Sequence, residues 1–85
     1  MNVEEIQNFL DKHELPKGKY LKIQFKKRDA IHGIFVKDRD YNDLKSKNFW
    51  RIVADAKVEE WVKTKDSSLA RIYNGAEFTR LSDSN

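Results

Sequence analysis

Residues able to do acid–base or metal chemistry are few in this chain, and they are scattered. Its two histidines, His13 and His32, fall on different segments, and no cysteine is present. His32 stands beside Gly33 on the polar phase of an alternating run, where a solvated or core-edge histidine is the ordinary reading. Metal and catalytic centres need convergent partners, and no nucleophile, base and orienting group can be assembled from these spacings. The sequence therefore predicts a protein that is not an enzyme and that carries no cofactor and no metal. The stretch "DRDYND" opens as a calcium loop does, with Asp38, Asp40 and Asn42 at alternate positions. Its sixth position is Asp43 where that loop requires glycine and its twelfth is Phe49 where it requires glutamate, so an acidic turn is the preferred reading.

Binding chemistry is better represented. Tyr41, Phe49, Trp50, Trp61 and Tyr73 are candidate stacking surfaces, since an aromatic ring beside a base contributes about 1–3 kcal/mol without demanding a sequence. Alternation divides Phe49, Arg51 and Val53 from Trp50, Ile52 and Ala54, which leaves one tryptophan for the core. Tyr41, in a polar stretch, is the better stacking candidate, and Trp61 is undecided. Core and rim packing is the competing role for all five. The net charge is only +3, but Lys17, Lys19, Lys22, Lys26, Lys27 and Arg28 all precede Asp29, while acids gather at Asp38, Asp40 and Asp43 and at Asp55, Glu59 and Glu60. Such a basic ribbon either meets phosphates or only solvates a hairpin.

These side chains need elements to hold them. Asn2 and Glu5 have the spacing of a capping box, and Val3, Ile6, Phe9, Leu10 and His13 recur with helical period, so a helix is expected to run to about Glu14. Leu15 before Pro16, then Lys17-Gly18, ends it. From Tyr20 the period becomes 2: Leu21, Ile23 and Phe25 alternate with Lys22, Gln24 and Lys26. "KKRD" turns the chain and "AIHGIFVK" returns as a second strand, with Gly33 marking a bend or a close backbone approach. "DRDYNDLKSK" reads as an irregular loop. "NFWRIVA" and "KVEEWVK" read as strands joined near Asp55-Ala56, and "SLARIY" and "EFTRL" as the last two, parted by Asn74-Gly75. A helix followed by five or six short strands predicts a mainly β fold: an N-terminal helix and a small, strongly bent five-stranded antiparallel barrel of the SH3-like kind.

Length and composition agree with a single unit. Eighty-five residues make one small core, and 39% hydrophobic with 12% aromatic content favours a folded domain over disorder despite 36% charge. One domain over residues 1–81 and a disordered tail over 82–85 are expected. The absence of cysteine excludes a disulfide framework and suits a reducing compartment. The acidic, amphipathic start lacks the basic end and apolar run of a secretion signal, and no segment approaches the ~18 apolar residues of a membrane span, so a soluble cytoplasmic protein with no membrane association is expected.

"LKIQFKKRDAIHGIFVKDRDYN" and "ARIYNGAEFTRL" together resemble the two motifs of the Sm-like family of RNA-associated ring proteins, including its bacterial riboregulator branch. Gly33 stands at the internal glycine of the first motif, Asp38 or Asp40 and Asn42 in its loop, and Asn74-Gly75 at the break of the second. The N-terminal helix is similar too, whereas residues 43–68 are longer than a typical member needs. The resemblance implies a homo-oligomeric ring that binds single-stranded RNA. It would put Asp40, Tyr41, Asn42, Asn74 and Gly75 around a base pocket and the basic hairpin Lys22, Lys26, Lys27 and Arg28 on phosphates. "EFTRL" would complete a neighbouring subunit's sheet, with Phe78 and Leu81 as interface contacts, because joined edges no longer aggregate.

Two other readings compete. Asn-Gly is also the strongest short hairpin signal, which would close a monomeric barrel and give an SH3-like module that takes a peptide on an open edge. A ring acting only as a scaffold, with no RNA role, is the third.

Overall fold

The computed structural model describes residues 1–12 and 20–83 of the chain. His13, the expected helix end near Glu14 and the Leu15 to Gly18 break lie outside the described residues. Helix α1 (Val3–Lys12) begins where the capping box predicts: the Asn2 side chain accepts from the Glu5 N–H at 2.8 Å and Glu5 returns the bond to the Asn2 N–H at 3.0 Å. Its apolar stripe lays Ile6, fully buried, into the main core, with Val3, Phe9 and Leu10 beside it.

Strands β1 (Leu21–Phe25) and β2 (Ile31–Phe35) form the expected antiparallel hairpin, with Leu21 opposite Gly33 and Ile23 opposite Ile31. A β-carbon on Gly33 would overlap the Val53 carbonyl oxygen, so glycine here permits close approach of β2 to the third strand. Strand β3 (Phe49–Ala54) pairs with β2, and its alternation divides two cores. Trp50 and Ile52 join Ile6, Ile23, Phe78 and Leu81 on the α1 side, while Val53 meets Val36 and Val58 in a second cluster. Phe35 and Tyr41 approach the Trp50 ring nearly edge-on at 5.9 and 6.1 Å between centroids, contacts worth about 0.5–1.5 kcal/mol each.

Two segments differ from expectation. "DRDYNDLKSK" contains a short helix, α2 (Tyr41–Ser46), and "KVEEWVK" is not a strand but part of helix α3 (Asp55–Thr64). Val58, Trp61 and Val62 stand at i, i+3 and i+4, one face of a helix. Val58 and Trp61 use that face to cover Val53 and Ile34, a burial that alternation between Val58 and Val62 would not supply. Lys65, in the left-handed conformation at φ 55°, closes the helix by donating its N–H to the Trp61 carbonyl at 2.7 Å.

Strand β4 (Arg71–Asn74) follows a single 3-10 turn at Ser67–Leu69, and β5 (Phe78–Asp83) follows another at Gly75–Glu77. The sheet order is β4-β3-β2-β1-β5, every neighbouring pair antiparallel. Asn74-Gly75 is thus neither a two-residue hairpin nor a barrel closure: it sends the chain from one edge of an open five-stranded sheet to the other. Contrary to the interface expectation, β5 completes the chain's own sheet by pairing with β1, and Phe78 and Leu81 are only 1% and 6% exposed because they fill the chain's own core. The expected tail begins too early as well, since Ser82 and Asp83 still pair with Lys22 and Leu21.

Candidate nucleic-acid interface

Among the residues expected to bind RNA, the structure gathers three around one cavity and disperses the rest. The 26–30 loop between β1 and β2 is tied to the Gly75–Glu77 turn by the Lys26 N–H, which donates to the Glu77 carbonyl at 2.9 Å. That bond brings the end of β1 against the end of β4. The Phe25 ring meets the Tyr73 ring at 5.6 Å between centroids and stands edge-on to the buried Phe78 at 5.2 Å, so the core fixes its orientation. Above the two outer rings lies the Arg28 guanidinium, 5.2 Å from the centroid of Phe25 and 5.5 Å from that of Tyr73. Phe25, Lys27, Arg28, Tyr73, Asn74 and Glu77 line an open cavity of about 180 Å³. Its floor is aromatic and its rim holds two cations and one carboxylate. Among the described residues no acid forms an ion pair with Lys27 or Arg28.

Asp40, Tyr41, Asn42, Gly75 and Lys22 do not line this cavity. The Arg51 guanidinium holds Asp40 with two hydrogen bonds, the longer 3.0 Å, and also reaches Asp38 at 3.6 Å. The Arg51 hydrogen bond keeps the Asp40 carboxyl below its ordinary value. Tyr41 is half-buried: its hydroxyl donates to the Gln7 side chain at 2.9 Å, its ring faces Trp50, and the Lys37 ammonium lies 5.2 Å over it. Burial raises its phenol pKa, and the nearby Asp11 charge adds to the shift. This is a residue packing α2 against α1 and β3, not a free stacking platform. Asn42 is exposed on α2. Lys22 sits between His32 and Ser82, and alternation puts it opposite the core face of Leu21 and Ile23. Lys26 is exposed at the loop, anchored through its backbone.

Gly75 has a structural duty instead. Its N–H donates to the Asn48 carbonyl at 2.7 Å, and a β-carbon there would collide with Asn48 Oδ1, Ile6 and the Trp50 indole nitrogen. Asn48 follows α2 in the left-handed conformation at φ 62°, which asparagine tolerates better than most residues. From there its side chain donates to the Met1 carbonyl at 3.0 Å and accepts from Trp50 Nε1 at 2.8 Å. The Met1 nitrogen donates to the Gly75 and Phe78 carbonyls at 3.0 and 2.8 Å. Asn74 turns the chain with its own side chain, which accepts from the Ala76 N–H at 2.9 Å.

Sequence reasoning weighed Tyr73 only as one aromatic among five and did not single out Phe25 or Asn48. Phe25 was readable only as the last apolar position of a strand, and its partner lies 48 positions away in the sequence. Trp61, left undecided, is half-exposed on α3 with the Lys65 ammonium 4.1 Å over its ring. Comparison with protein-family models, with curated proteins and with solved structures returned no match.

Proposed function

We propose that this protein binds single-stranded RNA without catalysis, as an oligomer of Sm-like subunits. The aromatic floor of Phe25 and Tyr73, set beneath the cations Lys27 and Arg28, carries the reading. An exposed cation over a ring contributes about 0.5–1 kcal/mol. A base stacked on the same ring contributes about 1–3 kcal/mol. A base therefore competes favourably for the ring faces, and the displaced guanidinium becomes available to its phosphate. Asn74 beside the rings offers an amide to a base edge.

The strand order supports the oligomer. Among the described residues β4 pairs only with β3 and β5 only with β1, so each has one side without a described partner, and these sides lie at opposite edges of one sheet. Pairing β4 of one copy with β5 of the next would continue the sheet from subunit to subunit and leave no edge exposed once the ring closes. The N-terminal helix and the strand–loop–strand motif with Gly33 support the Sm-like assignment, and the cysteine-free composition supports a cytoplasmic location.

Titration of fluorescent oligo(U) and oligo(A) at low salt, with mass in solution from light scattering, tests both halves. Saturable binding by a particle of six or seven subunits is the expected result; absence of binding at low salt removes the RNA half. The competing peptide-binding reading draws on Ile72, which is 49% exposed on the open β4 edge. It requires a monomer of about 10 kDa that ignores both oligonucleotides.

A further inference from the structure

The surface does not end at Arg28. On the far side of the Arg28 and Tyr73 side chains lies a trough of about 300 Å³, the lower end of the size range for small-ligand sites. Ile31, Ile52 and Leu69 contribute its apolar lining, and Lys57 from the first turn of α3 and Arg71 from β4 stand at it with their charges. No acidic residue lines it among the described residues, and none forms an ion pair with Arg28, Lys57 or Arg71.

We propose that this trough is a second nucleotide subsite, so that each chain holds two successive nucleotides of one RNA strand, with Arg28 at the phosphate between them. The inference rests on the RNA-binding reading of the adjoining cavity and assigns a role to α3. Arg28 and Tyr73 are common to both cavities, so a strand that stacks in the first has a continuous path into the second. Three exposed cations without acidic partners among the described residues favour an anion over the solvent that holds them, and an apolar floor beside the Tyr73 ring favours a flat, poorly hydrated group. A nucleotide supplies both in one unit, whereas a peptide of acidic residues alone supplies the charge and leaves the floor unused.

The test compares wild type with the double variant Lys57→Ala/Arg71→Ala. Both side chains are exposed, so the fold is expected to survive, which a thermal melt verifies. Lys63→Ala is the control for lost charge, since Lys63 lies on α3 outside the trough and is 73% exposed. The double variant is expected to bind oligo(U) about tenfold more weakly at moderate salt, with the slope of log affinity against log salt reduced by roughly 0.7 for each cation removed. In methyl NMR of the wild type, oligo(U) is expected to shift the Ile31 and Leu69 methyls and to leave Ile6, in the core beneath α1, unmoved.

If wild type binds oligo(U) while the double variant keeps its affinity and the Ile31 and Leu69 methyls stay in place, the second subsite is overturned and the first cavity stands alone. If wild type binds no RNA, both fall together. If oligoglutamate moves the same methyls as far as oligo(U) does, the trough is a charge-only surface and its assignment to a nucleotide is overturned.

Discussion

Two corners of the sheet, only two residues apart on the chain, are built in opposite ways. At Gly75 the backbone N–H and carbonyl, the Asn48 amide, the Trp50 indole and the Met1 nitrogen all answer one another, and Trp50 beneath them is 1% exposed. At Tyr73 the rings lie under cations that have no acidic partner among the described residues, and open cavities flank them on both sides. A polar group removed from water must find its partner inside the protein, so the Gly75 corner has little left to offer a ligand. The Tyr73 corner satisfies its cations with solvent, which an anion can displace. The residue between them, Asn74, turns the chain from one environment to the other.

The comparison predicts where substitutions will affect stability. Gly75→Ala should have the largest effect, because its new methyl group collides with Asn48, Ile6 and Trp50, none of which can withdraw without losing a hydrogen bond or core packing. A loss of roughly 3 kcal/mol is expected from urea unfolding, the upper range for an overpacked core site. A loss below about 1 kcal/mol would mean that the corner can relax, and the contrast between the two corners would weaken. Asn48→Ala comes next. It strips the indole N–H and the Met1 carbonyl of their partner and puts a β-carbon without a compensating amide at φ 62°, for an expected cost of about 2 kcal/mol by the same measurement.

Neither Asn48 nor Gly75 could be assigned this duty from sequence, and the reason is physical. The strands Leu21–Phe25, Ile31–Phe35 and Phe49–Ala54 were legible because alternation is a local property, and α1 because its capping box is. Helix α3 was misread because Val58 and Val62 satisfy a period of 2 as readily as Val58, Trp61 and Val62 satisfy 3.6 over so short a run. Only the face of Val53, available for covering, decides between them. The α2 helix was hidden by the turn-forming Asp and Asn residues at its start. Of the site, Lys27, Arg28 and Asn74 were legible as residue types. Their convergence depends on the Lys26 to Glu77 bond across 51 positions, which no local pattern records. Asp40 and Tyr41, which the resemblance placed at a base pocket in an apparent loop, instead meet Arg51 and Gln7, because the stretch that follows Asp40 folds as a helix.

A smaller effect sharpens the comparison from a third position. Asp40 is held below its ordinary pKa of 3.8 by the Arg51 hydrogen bond, so this pair stabilises the fold above that value and its contribution disappears as pH falls through the folded-state pKa. Asp40→Asn should therefore be less stable than wild type at neutral pH, and the gap should close in strongly acidic solution because wild type loses the same interaction there. Urea midpoints measured across that range check the sign. A gap that stays constant down to the lowest pH would show that the carboxylate charge is not what Arg51 holds. The two bonds of the Asn48 side chain, to the Met1 carbonyl and the Trp50 indole, involve no titrating group, so the deficit of Asn48→Ala should not close in the same window.

The smallest expected change in stability belongs to Arg28→Ala, and it separates the corners most cleanly. The guanidinium is exposed and lies over two ring faces, an interaction worth about 0.5–1 kcal/mol in water, so the urea midpoint should move little. Its effect on oligonucleotide binding should be the larger one, since it removes a cation common to both cavities and flattens the salt dependence by roughly 0.7. Asn48→Ala should behave in reverse, with lower stability and unchanged affinity per folded molecule, because Asn48 lines neither cavity. Measured together, the two variants form a crossed test: a ligand-binding corner loses affinity without stability, and a structural corner loses stability without affinity. If Arg28→Ala destabilised the protein as much as Asn48→Ala does, the guanidinium would be holding Phe25 and Tyr73 in place, and the cations of that corner would belong to the fold.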